Sequence, residues 1–119
     1  MLTKGWEELV TVTRGFILEK KGDLAGAKKA YADRPSEDGE ARLALLAFRA
    51  GNTADLARQL SNPASPTKKI VLGLLARAEN RPADAKEWFH KAWLQTHDPA
   101  EMSKNHVFMP IYYCEPVPD

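Results

Sequence analysis

A repeat of 29 residues constrains this chain more than any other feature of its sequence. With Gly22, Gly51 and Asn80 placed in register, the segments GDLAGAKKAY, GNTADLARQL and NRPADAKEWF align. Ala25, Ala54 and Ala83 coincide, and so do Tyr31, Leu60 and Phe89. Upstream, GFILEKK, ALLAFRA and GLLARAE superimpose, with Gly15, Ala44 and Gly73 at one small-residue position. Such self-similarity marks a unit that cannot bury its apolar faces alone and stacks on its neighbours. The 119 residues hold three units, approximately 3–34, 36–62 and 65–97, followed by a cap and tail over 98–119. Together they make a single domain, 1–119.

Each unit reads as two helices around a turn. In the first helices, positions at helical spacing run through Leu9, Val12 and Phe16, through Ala41, Leu45 and Phe48, and through Ile70 and Leu74 to Arg77. A second face follows Val10, Thr13 and Ile17, then Leu43, Leu46 and Ala50, then Val71, Leu72, Leu75 and Ala76. A helix apolar on two faces is covered on both, or covered on one and open to a ligand on the other. Boundary chemistry agrees. Thr3 can cap the first helix, and Gly22 and Gly51 suit the left-handed residue that ends a helix. Asp23, or Asn52 with Thr53, can start a second helix, and Ser65 before Pro66 can start the fifth segment. Pro35-Ser36 and Asn62-Pro63 separate the units, and Asp98-Pro99 with Glu101 predicts one last short helix. The small residues predict close approach of paired helices, with Tyr31, Leu60 and Phe89 filling the space between successive pairs.

These residues resemble those of the tetratricopeptide-repeat (TPR) family. The third unit, GLLARAENRPADAKEWFHKAWLQTHDP, matches best, through Gly73, Ala85, Phe89, Ala92 and Pro99. The first matches through Gly15, Gly22, Ala27 and Tyr31; the second is weakest, with Leu56 where alanine is expected and a short second helix. The family period is about 34 residues, so connections or second helices are shortened here. The motif tryptophan is replaced by Thr11, Glu40 and Lys69. The resemblance implies an all-α fold: a right-handed α-α superhelix of three helical hairpins, with a short C-terminal helix and an extended tail.

It also implies a non-catalytic protein-interaction module, a small adaptor or co-chaperone-like chain that binds a peptide or protein segment in a concave groove. The first helices would line that groove with Val12, Phe16, Lys20, Leu45, Phe48, Arg49, Leu74 and Arg77, joined by Leu9, Glu19, Ala41 and Ile70. An apolar floor would supply most of the affinity, at about 25 cal/mol per Å². One subgroup of the family grips a C-terminal carboxylate, but the corresponding positions here are Val12, Phe16, Arg42, Thr67 and Val71. Only Arg42 is a suitable donor, so no carboxylate clamp is expected. The alternatives are a homo-oligomer whose 107–114 tail docks in a groove, and an accessory subunit of an enzyme complex.

The tail, NHVFMPIYYCEPVPD, breaks the helical pattern. Its apolar stretch is an aggregation hazard if exposed, which predicts docking on this chain, on a second copy or on another partner.

Composition narrows the chemistry. Seventeen Lys+Arg against sixteen Asp+Glu give a net charge of +1, too small for a nucleic-acid or membrane-surface binder. The dibasic pairs Lys20-Lys21, Lys28-Lys29 and Lys68-Lys69 read as a solvated face, and Glu7-Glu8 and Glu37-Asp38 as acids in helix first turns. Trp88 and Trp93 read as core and cap. Cys114 stands alone, without a CxxC partner, and His90 and His97 lie too far apart to share a metal. No phosphate loop, GxSxG or HExxH is present, so neither an enzyme nor a cofactor is expected. No secretory signal or membrane span stands out near the start, because Glu7, Glu8 and Arg14 interrupt it; this predicts a cytoplasmic protein.

Overall fold

The computed structural model describes residues 4–100 and 116–118, with the side chains of 4–6, 8 and 9 set aside. Among the described residues the chain is all-α: α1 (Lys4–Lys20), α2 (Leu24–Asp33), α3 (Glu37–Arg49), α4 (Leu56–Gln59), α5 (Pro66–Ala78) and α6 (Pro82–His97). Helix α1 packs on α2 and α5 on α6, while α3 lies against α1, α2 and α5. No helix of the described residues is long and apolar enough to cross a membrane.

The 29-residue register reappears in the backbone. Gly22, Gly51 and Asn80 take φ of 86°, 82° and 60°, the left-handed region that glycine enters freely and asparagine tolerates. Each ends a helix with the same two bonds. The Gly22 N–H donates to the Glu19 carbonyl and Asp23 N–H to that of Leu18. Gly51 and Asn52 donate likewise to Phe48 and Ala47, and Asn80 and Arg81 to Arg77 and Ala76. These are Schellman closures, which satisfy the orphan carbonyls of a helix end and reverse the chain. Asp23, Ser36 and Ser65 then cap α2, α3 and α5, accepting from the N–H groups of Gly26, Gly39 and Lys68 at 2.9, 3.0 and 3.1 Å.

Side-chain size follows the same register. A Cβ placed on Gly15 would overlap the Tyr31 ring, and one on Gly73 would overlap the Phe89 ring. Where the second unit has Ala44, the opposing residue shrinks to Leu60, and both sit in one buried cluster. These large residues therefore fill the space inside each helix pair first, not only the space between pairs as the sequence suggested. The second unit carries the smallest filler and the shortest second helix. Asp55 enters α4 at φ 65° without a side-chain cap, Leu60 is its C-cap, and Asn62 (φ 54°) with Pro63 follows in the connection to α5.

Three apolar clusters succeed one another along the chain. Val12, Ala27, Tyr31 and Leu46 form the first; Ala44, Leu45, Leu56, Leu60, Val71 and Leu75 the second. The third gathers Ile70, Ala76, Ala85, Phe89 and Ala92. In the first two, the following first helix supplies part of the filling: Leu46 from α3, then Val71 and Leu75 from α5. Thr3 lies outside the described residues. Asp98 accepts the Ala100 N–H at 2.9 Å, the cap expected of a further helix, whose continuation at Glu101 also lies outside them.

Candidate functional site

Two polar clusters join successive units and decide which faces stay open. At the first joint, the Glu19 carboxylate accepts from Arg42 Nη2 at 2.5 Å and Nε at 3.1 Å, and from the Tyr31 hydroxyl at 2.6 Å. The Arg42 and Glu19 side chains are only 2% and 5% exposed. Burial alone would raise the Glu19 pKa; the hydrogen bonds from Arg42 and Tyr31, with the charges of Arg42 and Arg49, outweigh it and hold it low. Burial and the adjacent Glu19 push the Tyr31 hydroxyl up. At the second joint, buried Lys68 reaches Glu37 at 2.8 Å and Glu40 at 3.1 Å. Glu37 also accepts the Ala64 and Ser65 N–H groups, both at 2.9 Å, at the start of α5. Lys68 is thus no part of a solvated face, and Glu37 does more than favour its own helix dipole.

These joints revise the expected groove. Val12 and Leu45 are fully buried in the first and second clusters, so neither can meet a guest chain. Phe16, Phe48 and Leu74 are partly buried against those clusters. The Phe16 ring lies under Lys20 and Arg42, at 5.0 and 5.2 Å from its centre. Arg49 is exposed and lies 3.9 Å from Glu19. Ala41 and Ile70 are core, and the Leu9 side chain lies outside the described ones. Arg42, the single donor available for a carboxylate clamp, is held inside the protein by Glu19.

Arg77 belongs elsewhere. Its guanidinium stacks over Phe89, 4.9 Å from the ring centre, at the edge of a groove of about 540 Å³ along α5 and α6. The groove is lined by Arg77, Pro82, Ala85, Lys86, Phe89, His90 and Trp93, with Val117 and Pro118 of the tail. Its floor is apolar and its charged rim residues are all basic. Pro82 opens α6 at a position where the missing N–H costs nothing, and the four-residue spacing of 85, 89 and 93 puts them on one face of that helix. Trp93 is 47% exposed and stacks on His97, rings 4.6 Å apart and 5° from parallel, so it is neither core nor cap. Trp88 is partly buried, with the Lys91 ammonium over its ring at 4.9 Å.

The repeat register explains why the groove exists. Phe89 and Ala85 correspond to Tyr31 and Ala27, and to Leu60 and Leu56. Those residues are covered by Leu46 and by Val71 with Leu75 from the following first helix. At the third joint, Val117 packs on the cluster instead. The apolar stretch at 107–114, expected to dock, lies outside the described residues, as does Cys114. No cluster of three or more metal-ligating side chains occurs among the described residues. No family model, no curated protein and no solved structure matches the chain.

Proposed function

We propose that this chain is a small non-catalytic protein-interaction module, a TPR-like stack of three helical hairpins that binds a segment of a partner protein. The reading places the binding surface at the groove of α5 and α6 and not along the inner wall of the first helices. One observation carries it: the third joint has the apolar floor of the other two and, among the described residues, only Val117 and Pro118 of the tail beside it, at a groove of about 540 Å³. A volume of this order fits a few side chains of a peptide. Phe89 and Trp93 supply the aromatic anchors on which binding energy concentrates. Exposed rim charges add only about 0–1 kcal/mol each but favour an acidic guest.

A photo-crosslinking residue at Trp93, compared with one at exposed Lys29 on α2, tests this in the source cell. The module reading expects a discrete polypeptide adduct from position 93 and none from position 29. Equal labelling from both positions, or none from 93, contradicts it.

A further inference from the structure

Resting on that reading, we infer that the α5–α6 groove recognises a short extended segment in which an aliphatic residue stands between two prolines flanked by carboxylates, and that the chain's own C-terminus is the resident competitor. The tail supplies the pattern: residues 115–119 read Glu-Pro-Val-Pro-Asp. Val117 sits on the cluster of Phe89, Ala85 and Ile70, and Pro118 lines the groove beside it. Val117 thereby takes the part that Leu46 plays on Tyr31 and that Leu75 plays on Leu60. Prolines on both sides fix the backbone in an extended form before binding, which lowers the ordering cost, and aromatic-lined grooves suit such segments. Charge agrees with shape. The groove's charged rim residues are Arg77 and Lys86, with no carboxylate among the lining, while acids flank the Pro-Val-Pro core on either side in sequence. A tethered tail acts at an effective concentration in the millimolar range, so a partner segment of the same chemistry must displace it.

The test uses the full chain and a fluorescein-labelled peptide of sequence Glu-Pro-Val-Pro-Asp. Fluorescence anisotropy compares wild type with Val117→Asp and with the milder Val117→Ser, each checked for helicity by circular dichroism. If the tail closes the groove at least nine-tenths of the time, the substituted chains bind the peptide about tenfold or more tighter than wild type. Lys86→Glu added to Val117→Asp then weakens binding about three- to fivefold, the effect of an exposed charge pair. Equal binding to wild type and both variants, or no binding to either folded variant, overturns the inference. A random peptide library panned on the Val117→Asp chain separates this failure from that of the underlying reading. Enriched sequences without the proline and acid pattern, lost with Trp93→Glu, overturn the ligand class and leave the groove as a binding site. No enrichment at all overturns both.

Discussion

Glu19 shows how much a single carboxylate can do once it is buried. It meets a guanidinium from α3 and a hydroxyl from α2, and so fixes three helices at one point. Removing one partner of a buried ion pair costs about 3–5 kcal/mol, whereas replacing the whole set by apolar groups of similar size is often neutral. Arg42→Leu should therefore lower stability by that amount in urea unfolding, and Glu19→Leu, Tyr31→Phe, Arg42→Leu together should recover most of it. An Arg42→Leu loss below about 1 kcal/mol would show that the pair holds nothing. The same groups set the pH range. The Glu19 and Glu37 carboxyls lie below their ordinary value of 4.5, so their contribution is present above that pH and is lost as pH falls through the lower folded values. For Lys68, burial lowers the pKa, but the bonds to Glu37 and Glu40 more than reverse this and raise it above 10.5. Its contribution is complete below pH 10.5 and fades above it. Unfolding free energy measured against pH should be flat between about 5 and 10 and fall on both sides, with the acid limb shallower in Glu19→Gln. None of this was legible in the sequence. Glu19 and Arg42 are 23 residues apart and lie on different helices, and a Lys-Lys pair reads as solvated until its neighbours are known.

At the scale of the element, the first helices end where they do because three positions accept positive φ, and that was legible: Gly22, Gly51 and Asn80 are the registers from which the repeat was read. The small-against-large pairing inside each hairpin was half legible. Sequence shows Gly15, Ala44 and Gly73 beside Tyr31, Leu60 and Phe89, but only packing shows that each small residue faces the large one of its own unit. The pairing makes a sharp prediction. Gly73→Ala should gain about 1 kcal/mol in helix propensity yet lower the melting temperature, because the new methyl overlaps the buried Phe89 ring and overpacking costs about 1–3 kcal/mol. Adding Phe89→Leu recreates the Ala44–Leu60 combination and should restore at least part of the loss. A Gly73→Ala chain that melts higher than wild type would mean the contact yields freely.

At the scale of the molecule, the joints between the described units are not alike. Leu46, Leu75 and Ile17 occupy one register position. Leu46 and Leu75 are buried against residues of the preceding unit, whereas Ile17 is 49% exposed, with no earlier unit among the described residues to cover it. Leu46→Ala and Leu75→Ala should each cost about 2–5 kcal/mol, and Ile17→Ala no more than about 0.5 kcal/mol. Similar losses at all three positions would contradict the register. At the third joint, among the described residues, Val117 lies where a following first helix stands at the other two. The expected inner-wall groove failed at Val12 and Leu45 because periodicity marks a face as apolar without showing which neighbour covers it. The α5–α6 groove was not legible either, because Val117 packs on the cluster of Ile70, Ala85 and Phe89 from too far along the chain for any local pattern to announce.

Amide chemical-shift mapping of the Val117→Asp chain, titrated with the Glu-Pro-Val-Pro-Asp peptide, separates the two faces directly. The perturbed signals should cluster at Arg77, Pro82-flanking amides and the 85–93 stretch of α6, with α1 and α3 unmoved. Shifts centred on Phe16, Phe48 and Arg49, or no shifts at any peptide concentration, would contradict the assignment of binding to the open third joint.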